Sequence, residues 1–234
     1  MAGLKGEQTV TDAREQVLQR VRSALADRSQ GEHSPPVSRP ANASARLGSS
    51  ANREQLVEKL KSELARLRAS VYSAADMTSA LGIVGDLAKK YGATSVVAWS
   101  SLRRLLSPRL PGDSSFQFDE GSSDGSEFRR AASDAVIGLT EVDYAIAETG
   151  SLVVLSGSGR ARTASLLPRI HVALVRVEQI LPGLDELFVQ LDAANETPSA
   201  VTFITGPSRT ADIELTLVVG VHGPQELHVI LVGQ

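Results

Sequence analysis

The run SVVAWS, residues 95–100, is short, apolar and rich in β-branched side chains, without alternating polar positions. A strand that is apolar on both faces must be covered on both faces, as happens inside a layered α/β domain. Working outward, similar runs return at AVIGLTE (135–141), SLVVLS (151–156), HVALVRV (171–177), AVTFITG (200–206), LTLVVG (215–220) and LHVILV (227–232). Helical patterns lie between them, near Glu127–Ser133 and around Leu184–Ala194. Upstream, about Asp76–Tyr91 reads as a helix closed by Gly92. Arg53–Ala69 reads as an amphipathic helix with Leu56, Leu60, Leu64 and Leu67 on one stripe. Strands interleaved with helices predict an α/β fold of three layers, a mostly parallel or mixed sheet flanked by helices. VHGPQE, between the last two runs, is too short for a helical crossover. Those two strands are therefore expected to pair antiparallel or to lie at a sheet edge, which places His228 in an edge-strand pattern without a role. The stretch PGDSSFQFDEGSSDGSEF (111–128) reads only as polar.

The first 52 residues differ in kind. Val10, Ala13, Val17, Val21, Ala24 and Leu25 recur at helical spacing, and Asp12 with Glu15 makes a capping box. Residues 27–51 hold three prolines, many serines and almost no large apolar side chain. Such a stretch buries too little surface to offset an ordering entropy of about 1–2 kcal/mol per residue. The expected organisation is thus an N-terminal helix and linker over 1–52, then an α/β domain over 53–234.

Composition narrows the function classes. The 234 residues carry a net charge of −3, are 42% hydrophobic and 4% aromatic, and contain no cysteine. The charge argues against a nucleic-acid or anionic-membrane surface. Without thiols this chain forms no disulfide, Cys nucleophile or zinc knuckle, and holds no iron–sulfur cluster on thiolates of its own. No window reaches about 18 consecutive apolar residues, and MAGLKGEQTVTDAREQ lacks a signal-peptide core, so a cytoplasmic protein without membrane insertion is expected. With so few aromatics, the core must be aliphatic.

Four loops concentrate small and polar residues, and in open α/β sheets ligands sit where loops converge beyond strand ends. In YAIAETGS (144–151), Glu148 can act as base, nucleophile or orienting acceptor beside Thr149 and Gly150, or else simply cap a turn. SGSGRARTASLLPR (156–169) offers Gly157, Gly159, Arg160 and Arg162 for an anion, but lacks the P-loop ending and a full dinucleotide fingerprint. TGPSRTADIE (205–214) follows Gly206 and Pro207 with Ser208, Arg209, Thr210, Asp212 and Glu214. Its hydroxyls can cap a turn whose N–H groups face an anion, and its acids can orient a histidine. In GVHGP (220–224), His222 is flanked by Gly220 and Gly223, while His171 opens a strand after Pro168-Arg169. A Ser–His–Asp triad lacks its G-x-S-x-G elbow, and a metal site from His171, His222 and Asp212 or Glu214 lacks the usual ligand spacing.

DYAIAETGSLVV, LLPRIHVALV and above all TGPSRTADIELTLVVGVHGPQELHVIL resemble the LutC/YkgG family of lactate-utilisation (LUD) domain proteins, over roughly residues 53–234. The resemblance implies a NagB/RpiA/CoA-transferase-like fold and a role in cytoplasmic oxidation of L-lactate to pyruvate beside two iron–sulfur partner proteins. In that family the cluster cysteines belong mainly to the partners, which suits a chain without thiols. The motif positions carried over are Glu148, Thr149, Gly150, Pro168, His171, Gly206, Pro207, Ser208, Thr210, Asp212, Glu214, His222, Gly223 and Pro224. Glu148, His171, Asp212 and His222 are the catalytic candidates. Thr149, Gly150, Arg160, Gly206, Ser208, Thr210, Glu214 and Gly223 are candidates for ligand binding, and no metal is assigned. Two other functions stay open. One is a stand-alone protein for a phosphorylated or CoA-linked small molecule, with Glu148 the counterpart of the transferase nucleophile by fold analogy only. The other is an interaction module with the helix at 10–26 as docking arm.

Overall fold

The structure is a computed structural model that describes residues 14–23, 50–106, 115–121, 125–194, 198–211, 217–219 and 223–234. The chain divides into two units, Met1–Pro40 and Ala41–Gln234. In the first, helix α1 spans 14–23, leaves Val17 and Val21 exposed, and pairs Arg22 with Glu15 at 3.4 Å. Most of the expected linker lies outside the described residues.

The second unit opens with α2 (Ser50–Arg66), which starts within the stretch read as linker, and continues with β1 (Ser70–Ala74), α3 (Met77–Lys90) and β2 (Ser95–Trp99). A 3-10 turn at Ser100–Leu102 leads into α4 (Arg103–Leu106), followed by β3 (Ser115–Asp119), α5 (Ser126–Asp134) and β4 (Ile137–Glu141). Next come β5 (Tyr144–Ile146), β6 (Ser151–Ser156), the single turn α6 (Thr163–Leu166), β7 (Ile170–Arg176) and β8 (Ile180–Leu181). The last elements are α7 (Leu184–Ala193), β9 (Ala200–Ile204), β10 (Arg209–Ala211), β11 (Leu217–Val219) and β12 (Glu226–Val232).

Six strands form a wholly parallel sheet in the order β1-β12-β7-β4-β2-β3. A mixed sheet, β8-β5-β6-β9, packs beside it, and β10 with β11 forms an antiparallel hairpin. The apolar runs follow from burial on both faces. One face of the main sheet sets Val96, Ala98, Leu139 and Val172 against Val84 and Leu87 of α3. The other sets Val97, Trp99, Ala173 and Val229 against Leu60 and Leu64 of α2, Phe128 of α5, and Leu152 and Val154 of β6. Each fully buried Val or Leu among them contributes about 1.5–3 kcal/mol by leaving water. As the composition requires, Trp99 and Phe128 are the only aromatic residues in this largely aliphatic core among the described residues.

Local chemistry sets the helix ends. The Asp76 carboxylate accepts the Ser79 N–H at 2.7 Å at the start of α3, and Gly92 takes a φ of 59° just past its end. Gly138 of β4 answers to packing instead. A Cβ there would overlap the Ala164 carbonyl oxygen and lie 2.9 Å from Pro168 Cγ, so α6 rests directly on the strand.

The expected pairing of the last two strands is corrected. β11 pairs with β10, while β12 enters the interior of the main sheet, parallel between β1 and β7. VHGPQE therefore joins strands of two different sheets, and the rule for hairpins does not apply to it. His228 consequently lies in an interior strand, 1% exposed, and not at an edge. Its Nδ1 lies 3.0 Å from Tyr72 Oη and its Nε2 lies 3.1 Å from Tyr91 Oη, and Tyr91 donates to Glu226 at 2.5 Å. Because Tyr91 spends its proton on Glu226, it must accept from His228 Nε2–H, and Tyr72 must donate to Nδ1. Burial, opposed by Glu226, keeps this imidazole below its ordinary pKa and hence neutral. Tyr91→Phe removes both hydrogen bonds of that hydroxyl and leaves the Nε2–H only the longer approach to Glu226 Oε2 at 3.4 Å. A loss of about 1–2 kcal/mol is expected in urea unfolding at neutral pH.

Candidate functional site

His171 is the second residue of β7, in register with Gly138 on β4 and Leu227 on β12. Strand alternation turns it to the face shared with α2 and α6, the same face as Thr140. The imidazole is 1% exposed, and Nε2 lies 2.9 Å from Thr140 Oγ1. Nδ1 is buried with no hydrogen-bond partner among the described residues. Burial pushes this histidine down to about 4, so it is neutral at physiological pH. A buried N–H without an acceptor is rarer than an unmatched lone pair. We therefore assign the proton to Nε2, donating to Thr140, with a bare lone pair on Nδ1.

The ring borders a cavity of about 170 Å³. Ser165 and Leu166 of α6, Thr202, Phe203 and Ile204 of β9, the loop Thr205–Ser208, Gly223 with Pro224, and Leu227 complete its wall. The Ser208 N–H donates to the Pro224 carbonyl at 2.8 Å, tying two of the polar loops together. Thr149 Oγ1 donates to Ser151 Oγ at 2.8 Å, and Ser151 Oγ lies 2.8 Å from Thr205 Oγ1. This hydroxyl chain joins the turn after β5 to the cavity wall. Gly150 and Gly206 both close against the end of the α2 segment, at Glu63 and Leu67 and at Leu67 respectively.

The structure thus brings His171, Gly206, Ser208 and Gly223 to one cavity, with Thr149 and Gly150 on the adjoining turn. Glu148 stands outside it, exposed beside Gly183, its N–H donating to the Pro182 carbonyl at 3.1 Å. Thr210 is held in β10 by its backbone pairing with Val218. Asp212, Glu214 and His222 lie outside the described residues, so the metal and triad arrangements drawn through them do too. Among the described residues no group of three His, Cys, Asp or Glu could hold a metal, and no helix is long and apolar enough to cross a membrane.

Arg160 sits elsewhere, at the carboxyl ends of the parallel strands, whereas the His171 cavity lies at their amino ends. Its guanidinium donates to Asp143 Oδ2 at 2.6 Å and lies 4.3 Å from the Trp99 ring centroid. The Leu155 N–H donates to the same carboxylate oxygen at 2.7 Å. Asp119, 5% exposed, accepts the Ala161 N–H at 2.7 Å and the Gly121 N–H at 3.1 Å. The glycine-rich loop is therefore tied down by two carboxylates and an indole. Asp143→Ala leaves both the guanidinium and the Leu155 N–H without this acceptor. A loss of about 1–2 kcal/mol is expected in chemical denaturation, with the His171 cavity unaffected.

Sequence reasoning passed over Thr140, Ser165, Thr202 and Thr205. Thr140 carried a signal, since a hydroxyl inside a strand buried on both faces must find a partner. Thr202 of β9 carried none, because Thr is an ordinary strand residue.

The LUD domain family matches residues 57–232. A protein of Geobacillus sp. (strain WCH70) named lactate utilization protein C is 31% identical over 194 residues, covering 77% of this chain and 79% of the relative. Its namesake from Halalkalibacterium halodurans is 36% identical over 152 residues, covering 60% and 64%. A crystal structure of a DUF162 family protein from Deinococcus radiodurans superposes with a TM-score of 0.57 at 21% identity, covering 77% of this chain and 98% of that one. At that identity the superposition speaks for the fold alone, and it agrees with the parallel sheet and flanking helices described above. The chain belongs to the LUD domain family, in company with the proteins named lactate utilization protein C.

Proposed function

We propose that this chain is a component of a cytoplasmic iron–sulfur system that oxidises L-lactate to pyruvate, an accessory subunit binding substrate or partner and carrying no cluster of its own. The likeness to proteins named lactate utilization protein C, over most of the α/β domain, is the observation that carries this reading. A sequence of 234 residues without cysteine leaves cluster ligation to the partner proteins. The cavity beside His171 gives such a subunit a place for a small molecule. Clean deletion in a host without a paralogue is expected to abolish growth on L-lactate, and the tagged protein to co-purify with cysteine-rich partners. Undiminished growth on lactate would overturn the assignment. The alternative of a phosphorylated or CoA-linked ligand leans on the SGSGRAR loop, where Arg160 is engaged by Asp143 and Trp99.

A further inference from the structure

We propose that the His171 cavity is a binding site for a short 2-hydroxy monocarboxylate of three or four carbons, and that it prefers the hydroxy acid to the corresponding 2-oxo acid. This rests on the lactate reading above and extends it by naming which redox form this chain holds.

Size comes first. A cavity of about 150 Å³ takes up benzene, a molecule of about six non-hydrogen atoms. The present cavity, at about 170 Å³, therefore suits ligands of that size, and a nucleotide or coenzyme thioester would leave most of its atoms outside the mouth. Its wall is mixed in character. Leu166, Leu227 and Ile204 supply an apolar side for a short alkyl group, and Thr202, Thr205 and Ser208 bring hydroxyls. Ser208 and Gly223 are only half-buried, so a carboxylate at that mouth keeps part of its hydration. No Lys, Arg, Asp or Glu lines the cavity among the described residues, so recognition there works through hydrogen-bonding direction.

Direction is set at the floor. With the tautomer assigned above, Thr140 Oγ1 accepts from Nε2–H, and Nδ1 of His171 keeps a lone pair with no partner among the described residues. A ligand hydroxyl can donate to that lone pair. A ketone offers only lone pairs of its own, and bringing it there leaves two buried acceptors facing each other. Sites built around one polar contact discriminate strongly against ligands that cannot make it. His171 touches the ligand, and Thr140 acts through it as a positioning residue.

The test is titration calorimetry on the full chain with L-lactate and with pyruvate. Lactate is expected to bind about tenfold more tightly or better. Thr140→Val removes the acceptor that fixes the tautomer, so the ratio of the two affinities should fall toward one. A merely structural Thr140 would weaken both ligands alike, and Thr140→Ser should restore the wild-type ratio. His171→Leu should abolish binding of lactate; if that variant does not fold, the Thr140 pair decides. Equal affinities in the wild type, tighter pyruvate, no binding of either acid, or a ratio unchanged in Thr140→Val would each overturn the proposal. Failure here with growth on lactate still lost on deletion removes the cavity's role and leaves the proposed function standing. Lactate binding without a growth defect does the reverse.

Discussion

Gly138→Ala is expected to lower the unfolding free energy by about 3 kcal/mol and to displace α6 from the sheet. The added methyl has nowhere to go, since its position overlaps the Ala164 carbonyl oxygen and crowds Pro168. Backbone cannot swing aside as the end of a long side chain can, so the whole turn must lift. Ser165 and Leu166 ride on that turn and line the His171 cavity, so binding there should weaken in the same variant. Gly82→Ala is the matched control, because Gly82 is exposed within α3 and a Cβ there meets nothing within 4 Å. That change should be neutral or stabilise by up to about 1 kcal/mol. Urea unfolding monitored by circular dichroism reads both variants. A Gly138→Ala protein within about 0.5 kcal/mol of wild type would mean that α6 does not seat on β4 as described.

Acid is the second strong lever. His171 titrates at about 4 in the folded chain and near 6.5 when unfolded. Above pH 6.5 neither state binds the proton and His171 contributes no pH dependence. As pH falls below 6.5 the unfolded chain takes up a proton that the folded chain refuses, so stability drops by about 1.4 kcal/mol per pH unit. The loss from this residue reaches about 2 kcal/mol at pH 5 and levels off below the folded value near pH 4. His228, lowered in the same direction, adds to the slope. His171→Gln should therefore lose less stability than the wild type between pH 7.5 and pH 5, by about 2 kcal/mol. Parallel pH profiles for the two proteins would show that His171 is hydrated or otherwise able to take a proton in the fold.

How far the sequence announces this structure depends on what each segment buries. β2, β4, β6, β7 and β12 are covered on both faces, and their continuous apolar runs mark them plainly. β3 is a sheet edge with exposed and half-buried residues in alternation, and SFQFD disappears among the serines, glycines and acids around it. β1, SVYSA, is an edge strand too and gives the same weak signal. Strand order is harder still. The connection between β11 and β12 looks local, but β12 finds its neighbours at β1 and β7, which are distant in the chain. At the cavity, glycines and hydroxyls in the polar loops marked Gly206, Ser208 and Gly223, whereas Thr140 is contributed by a core strand. Arg160 shows the opposite limit. A glycine-rich loop with arginines has the composition of an anion site, and only the positions of Asp143 and Trp99 reveal that the guanidinium is already engaged.

The place of β12 has a consequence for biosynthesis. Until residues 226–232 leave the ribosome, β1 on one side and the β7-β4-β2-β3 block on the other have no strand to join them. A nascent chain would carry two open, apolar sheet margins throughout that interval. Assembly of the main sheet is therefore a late, long-range event, of the kind that folds slowly. Shielding by a chaperone during synthesis should matter more for this protein than for one whose strands associate in the order they are made.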